Sequence, residues 1–154
     1  MPLDRSLIGA KSPQLVVDVE RGRLRFFAKA TGQSDPVYSD LEAARAAGHR
    51  DLPVPPTFLF CLGMEVPNPF DYLEELGIDP VTVLHGEQAF EYHAQAYAGD
   101  TLTYATEISD IYAKKGGALE FLVRTTEVTR DGELIARLTA SAVIRNTPGK
   151  ENAS

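Results

Sequence analysis

The alternation of apolar and polar residues is clearest near the C-terminus. From Leu134 to Ile144 the even-numbered residues are all apolar, which is the period of a half-buried antiparallel strand. We predict a strand over 133–145 and three earlier strands over 81–92, 101–112 and 119–129. Asp131-Gly132 predicts a hairpin turn, and residues 115–117 turn the preceding pair.

The first half of the chain has helical spacing instead. Apolar residues predict a helix over 20–30 that ends at Gly32, and a second helix that begins at a cap on Ser39 or Asp40 and runs to Ala47. Residues 65–80 contain proline, asparagine and glycine, which predicts a surface excursion with a short helix over 72–76.

Prolines precede an almost wholly apolar run over 58–64, which fits the start of a helix that must be buried. Helices followed by strands indicate an α+β fold. An antiparallel sheet can bury this helix by curling around it, and that geometry is the hot-dog fold. We therefore predict one hot-dog domain over 1–154, with loose termini at 1–12 and 147–154, that forms a dimer.

Composition narrows the classes of function. The chain has 154 residues with 44% apolar content, and 15 Lys+Arg against 22 Asp+Glu give a net charge of −7. A broad basic surface for nucleic acid is therefore absent. No apolar run is long enough to span a bilayer, so we expect no membrane association and a cytoplasmic protein. Cys61 lies in an apolar run as a small hydrophobe, and the three histidines lack ligand spacing, so we expect no metal.

Several short motifs point to a known family by their order along the chain. They are Phe27-Ala28-Lys29-Ala30-Thr31-Gly32, then Asp35-Pro36-Val37-Tyr38, and further segments at 47–50, 54–58, 85–93 and 98–102. With these motifs the chain resembles the MaoC-like enoyl-thioester hydratases and dehydratases, of the N-terminal MaoC dehydratase type. The resemblance implies a hot-dog fold, lyase activity on acyl-CoA or acyl-ACP thioesters, and no cofactor.

The catalytic loop of that family departs from its pattern here. Catalytic members have the form Gly-Asp-x-Asn-Pro-x-His, whereas this chain has Gln33, Asp35 and Tyr38 at the three polar positions. An amide cannot titrate, and phenols have a reference pKa of about 10, so the usual acid and base are missing. We predict a subunit that works with a catalytic partner. Asp35 can also serve as a turn residue, and Tyr38 can also serve in packing.

Relocated catalytic groups are the alternative within the same reaction class. His85 and Glu87 are two residues apart on a predicted strand, so the spacing places them on one face as a possible acid and base. A structural role for His85 is the competing interpretation. We expect His49 to pack or lie at the surface, and His93 to face away from Tyr92.

Substrate contacts are predicted at two places. The thioester oxygen needs donors near a helix start, where Pro56 has no N-H and only Thr57, Phe58 and later residues can contribute. Lys114 and Lys115 can meet the carrier's phosphates, or form a solvated hairpin tip. Three arginines can extend this basic surface: Arg124, Arg137 and Arg145. With Gln33, Asp35 and Tyr38 these residues complete the predicted site.

The sequence leaves three other functions open. A homo-oligomeric hydratase would use the relocated groups, and a hot-dog thioesterase would use Glu87 as its base. A non-catalytic acyl-CoA-binding module would need neither. Partners are expected to be the thioester carrier and a second hot-dog subunit, which can be a second copy or a different chain.

Overall fold

A computed structural model describes residues 2–146 and shows a five-stranded antiparallel sheet in the order β1-β3-β4-β5-β2. The strands are β1 Leu15–Asp18, β2 Val83–Tyr92, β3 Thr101–Lys114, β4 Leu119–Arg130 and β5 Glu133–Arg145. The helices are α1 Arg21–Ala30, α2 Leu41–Ala46, α3 Phe58–Leu62 and α4 Asp71–Glu75. The predicted α+β class and all four predicted strands are confirmed, and their ends shift by at most two residues.

Both predicted turns between the long strands are present. Asp131 and Gly132 have φ of 50° and 83°, which are the left-handed values that a type I′ hairpin needs. Lys115, Gly116 and Gly117 also have positive φ and form the short turn between β3 and β4. Glycine tolerates this conformation because it has no Cβ. The two turns set the register of the three long central strands.

The core lies between the inner face of the sheet and α3. Phe58, Leu59 and Leu62 of α3 are buried, as the apolar run predicts, and they pack with the sheet residues Leu102, Tyr104 and Leu138. Phe60 of the same helix is 37% exposed. The expectation that this helix is buried on every side is therefore wrong for one residue, which faces the edge of the sheet beside β2.

The segment 65–80 lies largely at the surface and contains the short helix α4, as predicted, and it also covers part of the sheet. Leu73 and Ile78 are buried there against Ile111, Leu122 and Ile144 in a second core cluster. Cap bonds shape this segment, since the Asp79 carboxylate accepts from the amide of Val81. The segment therefore closes one end of the inner face that α3 is too short to reach.

The N-terminal residues differ most from the prediction. Leu3 and Leu7 pack against the second cluster, Gly9 N-H donates to Ile108 O at 2.8 Å, and Ser12 N-H donates to Thr106 O at 2.9 Å. Residues 3–12 are thus not loose. They lead into β1, a strand that the sequence pattern did not predict because it is only four residues long. The other predicted loose end, 147–154, lies outside the described residues.

Three bulges interrupt the simple alternation of the strands, and the one in β3 makes Ser109 an extra residue between Ile108 and Asp110. In β5, Ala136 pairs with Val128 and Leu134 pairs with Thr129, so Ile135 is an extra residue and is fully buried. In β2, His85 pairs with Ala142 and Glu87 pairs with Ser141, so Gly86 is extra. Beyond each bulge, the side chains lie on the opposite face of the sheet from the one that a strict two-residue alternation predicts.

Candidate functional site

The loop whose sequence differs from the family's catalytic motif starts at the end of α1. Gln33 N-H donates to Ala28 O at 2.8 Å, and Gly32 N-H donates to Lys29 O at 3.3 Å. Gly32 has φ of 70°, so this is a Schellman-type helix end, in which glycine supplies the left-handed residue. The chain therefore leaves α1 in a fixed direction, and the loop 33–38 begins at a defined point.

The polar side chains of this loop bond to their own backbone. Gln33 Oε1 accepts from the amide of Asp35 at 3.0 Å, and Asp35 Oδ1 accepts from the amide of Val37 at 3.1 Å. Asp35 thereby caps the short turn Pro36–Tyr38. Neither side chain points a free acid or base at a ligand, and Tyr38 is half-buried. The loop keeps its shape with local bonds in place of catalytic groups.

Two aromatic rings connect α1 to the start of α3. The rings of Phe27 and Phe58 have centroids 4.7 Å apart, and the guanidinium of Arg23 lies 5.6 Å from the Phe58 centroid. This contact brings the end of α1 close to the start of α3, where the donors to the thioester oxygen are predicted. The loop 33–38 and the start of α3 therefore lie in one region of the molecule.

The start of α3 is poor in free amide donors. Pro55 and Pro56 have no N-H, and the Phe58 amide donates to Pro55 O at 2.9 Å. The amide of Phe58, one of the predicted donors, is thus already hydrogen-bonded within the turn. Pro56 lines a cleft of about 310 Å³ together with Leu59 and Tyr92. Because Pro55 and Pro56 lack an N-H and the Phe58 amide is bonded, Thr57 has the first amide left to donate to a thioester oxygen.

The proposed pairing of His85 with Glu87 is wrong. The extra residue Gly86 sets His85 level with Ala142 on the inner face and Glu87 level with Ser141 on the outer face. The His85 ring lies edge-on to Phe60 with centroids 6.1 Å apart, whereas Glu87 is exposed on the other side. These two groups cannot share one substrate within a single chain.

The other histidines each have an aromatic or acidic neighbour. His49 Nδ1 lies 3.3 Å from Tyr97 Oη, in agreement with a packing role. His93 Nε2 lies 3.0 Å from a carboxylate oxygen of Glu91. Within residues 2–146 no group of three or more His, Cys, Asp or Glu side chains is arranged to hold a metal ion. Burial raises the pKa of the Cys61 thiol, which disfavours the reactive thiolate.

Lys114 and Lys115 lie far from the start of α3. Tyr104 Oη donates to Leu59 O at 2.9 Å, and Lys114 is ten residues further along β3, roughly 30 Å at the usual rise of a strand. Lys114 Nζ lies 5.0 Å from the Phe121 ring centroid. The two lysines and the donors near Thr57 therefore do not form one pocket in one chain.

The three arginines do not form one basic surface either. Arg137 lies on the outer face, where it bonds to Glu127 and Glu91. Arg124 lines a cavity on the inner face, and Arg145 ends β5. The prediction of a shared basic patch is wrong because Arg124 and Arg137 point to opposite faces of the sheet.

The cavity that contains Arg124 is the feature that the sequence did not reveal. It has a volume of about 340 Å³ and lies between the segment 60–75 and the inner face of the sheet; we call it the inner cavity. Phe60, Met64 and Leu138 contribute apolar walls, and Gln88 and Arg124 contribute polar groups. The register of β2, β4 and β5 decides which side chains meet here, and no local motif encodes that register.

A buried carboxylate holds together the loops around the start of α3. Asp100 is 5% exposed. Its oxygens pair with Arg50 and with Arg130, the latter at 2.7 Å, and one accepts from the Tyr97 amide at 2.9 Å. Asp100 lies in the segment 98–102, one of the motifs that carry the family resemblance. That motif is the sequence signal that could have identified Asp100 as an important residue. Its role here is to position the loops.

Comparison with known proteins agrees with this architecture. The sequence model described as "FAS1-like, dehydratase domain region" matches residues 6–138. The chain belongs to this family. It is also 37% identical over 149 residues to a UPF0336 protein of Saccharopolyspora erythraea, covering 96% of this chain and 94% of the relative. A UPF0336 protein of Streptomyces coelicolor is 39% identical, covering 75% and 78%.

This chain of the FAS1-like dehydratase family is also similar to proteins of known structure. A truncated HadBC complex of Mycobacterium tuberculosis, named as a 3R-hydroxyacyl-ACP dehydratase, matches with a TM-score of 0.75 and 26% identity over 89% of this chain and 96% of that chain. A MaoC-like dehydratase matches with a TM-score of 0.80 and 25% identity over 92% and 43%. The hot-dog fold is confirmed. Among residues 2–146, no helix reaches the length and hydrophobicity needed to cross a membrane.

Proposed function

We propose that this chain is the subunit without the catalytic dyad in an enoyl-thioester hydratase or 3-hydroxyacyl-thioester dehydratase. The observation that carries the proposal is the loop 33–38, where Gln33 and Asp35 bond to the backbone and no carboxylate-imidazole pair is present. The thioester is carried by coenzyme A or an acyl carrier protein, and a second hot-dog subunit supplies the acid and base.

The reaction explains why a partner is needed. Hydration adds the water oxygen to the β-carbon and a proton to the α-carbon, so one group must take a proton from water and a group must deliver one. A carboxylate and an imidazole do this near neutral pH. Gln33 cannot exchange a proton. The role of this chain is therefore to bind the acyl chain of the substrate and to form the complex with the catalytic subunit.

The long edge of β2 is the surface best suited to a second subunit. β2 has ten residues and pairs only with β5 among the described strands, so the backbone groups of its other edge face outward. Leu84 and Tyr92 on this strand are each 48% exposed, and Phe60 beside it is 37% exposed. The solved complex named HadBC matches this chain with 26% identity, which supports assembly with another hot-dog subunit.

The proposal is tested with the purified chain, alone and together with hot-dog subunits that carry the Asp/His motif. Hydration of short and long trans-2-enoyl thioesters of both carriers is measured. We expect no hydration by the lone chain and turnover by one of the complexes. Full activity of the lone chain contradicts the proposal. Free thiol released without a hydroxyacyl product identifies a thioesterase, and tight acyl-CoA binding without turnover in any complex identifies a binding module.

A homo-oligomeric hydratase with relocated groups is the second candidate, and the position of His85 favours it. Its ring lies on the inner face edge-on to Phe60 of α3, so an imidazole stands beside this helix. If the lone chain is active, His85→Ala, Glu87→Gln and Tyr38→Phe separate the candidates. This alternative predicts a large loss for His85→Ala and a rate within about twofold of wild type for Glu87→Gln, which faces the opposite side. Unchanged rates in all three eliminate the alternative.

A further inference from the structure

The floor of the inner cavity has a polar pair separated by an alanine. Ala140 of β5 pairs with Gln88 of β2 on one side and with Arg124 of β4 on the other, and all three line the cavity. Residues directly opposite each other in a sheet share a face. Because alanine is small, the longer side chains of Gln88 and Arg124 flank a gap above it.

Gln88 has an acceptor that no protein group satisfies. Its Oε1 is buried and has no hydrogen-bond partner within residues 2–146, while its Nε2 makes only a long contact of 3.4 Å to Ala89 O. A buried polar atom without a partner destabilises the folded state, because it has lost its hydrogen bonds to water without replacing them. A ligand group that donates a hydrogen bond at this point removes that penalty.

Arg124 has donors that no carboxylate occupies. Its Cζ lies 3.9 Å from the ring centroid of Tyr72, and the described residues place no carboxylate within ion-pair distance of it. Stacking on the ring fixes the guanidinium plane and leaves its N-H groups directed along that plane. A group that accepts a hydrogen bond can therefore be held here.

The charges of the cavity decide between an anionic and a neutral ligand. Asp71 and Glu75 line the same cavity as Arg124, so these carboxylates disfavour a second anion. The apolar walls require a ligand that is mostly hydrocarbon. A hydroxyl group fits both polar residues, because it donates one hydrogen bond and accepts others.

We propose that the inner cavity binds a neutral aliphatic chain that carries a hydroxyl group, which donates to Gln88 Oε1 and accepts from Arg124. The inference deepens the proposed function, since it rests on that function for the identity of the occupant as a substrate's acyl chain with a hydroxyl remote from the thioester. The binding site itself is tested without a thioester, so the two proposals can fail separately.

The test compares three small probes of similar size on the full chain: 1-octanol, 1-methoxyheptane and octanoate. The ether has as many heavy atoms as the alcohol but cannot donate, and octanoate carries a negative charge. Affinities are measured from two-dimensional amide spectra, and the Gln88 side-chain resonances are assigned by their loss in Gln88→Leu. We expect 1-octanol to bind about fivefold more tightly than either other probe and to shift the Gln88 side-chain amide.

Variants locate the preference for the alcohol. In Gln88→Leu and Arg124→Leu we expect 1-octanol to bind no better than 1-methoxyheptane, while the affinity for the ether stays within twofold. Arg145→Leu, at the exposed end of β5, is the matched control and should keep the preference. Equal binding of alcohol and ether to the wild-type chain, tighter binding of octanoate, or an unchanged preference in both cavity variants overturns the proposal.

Discussion

Asp100 shows how one buried charge can organise two loops. Burial by itself raises the pKa of this carboxyl group, but hydrogen bonds from Arg50 and Arg130 outweigh it and hold the pKa below its usual value. A carboxyl group whose pKa is lowered by folding stabilises the folded state above the pKa of the unfolded chain. That contribution is lost as the pH falls through the lower, folded value.

Asp100→Asn is therefore expected to lower the free energy of unfolding by about 2 kcal/mol at pH 7, because two arginines lose their anionic partner. Urea-induced unfolding measures this difference. The difference should shrink as the pH falls below about 4, where the carboxyl group of the unfolded chain takes up a proton while that of the folded chain stays ionised to a lower pH. Asp131→Asn, in the exposed hairpin turn, serves as the control. A difference that is constant from pH 7 to pH 3 contradicts this role of the charge.

Among the strands, β2 depends on one glycine. A Cβ at Gly86 would lie 2.7 Å from Val143 Cγ2 and 3.1 Å from Ser141 O, so the bulge leaves no room for a side chain. The extra residue at this position is what places His85 on the inner face and Glu87 on the outer face. A larger residue must move β2 away from β5.

We expect Gly86→Ala to lower the free energy of unfolding by about 1–3 kcal/mol, as overpacking does in other cores. Gly22→Ala is the matched control. It lies in α1 with no atom within 4 Å of the added Cβ and should be neutral or slightly stabilising. Adding Val143→Ala to Gly86→Ala should restore part of the loss, since it removes the nearest clash. Equal stability of the two glycine variants would refute the packing argument.

The sequence predicts the elements better than it predicts their faces. Asp131-Gly132 and the alternation in β5 identify the hairpin, since turn chemistry and side-chain period are local properties. The bulge at Gly86 is set by pairing with β5, which is distant in the sequence, and the bulge at Ile135 is set by pairing with the neighbouring strand β4. For this reason the two-residue spacing of His85 and Glu87 misled. The inner cavity was not predicted for the same reason. The altered loop at Gln33 could be recognised in the sequence because its motif is contiguous.

For the whole molecule, the two edges of the sheet differ. β1 has four residues and β2 has ten, and each strand carries an exposed apolar side chain, Val16 on β1 and Leu84 on β2. Leu84→Lys places a charge on the long edge, which opposes strand pairing, and should weaken binding of the second hot-dog subunit about tenfold. Val16→Lys on β1 is the matched control and should change binding less than twofold. Sedimentation velocity measures both, and equal effects would show that β2 is not the interface.

The proposed division of labour is tested most directly by turnover of the assembled complex. The rate of trans-2-enoyl thioester hydration is compared between wild type, Gln33→Asn with Tyr38→Phe in this chain, and substitution of the motif histidine in the partner. We predict a kcat within about twofold of wild type for the first variant. For the second we predict a loss of at least a hundredfold, the lower range for an acid-base group. A large loss from the Gln33 and Tyr38 changes, with the partner's histidine dispensable, would contradict the account.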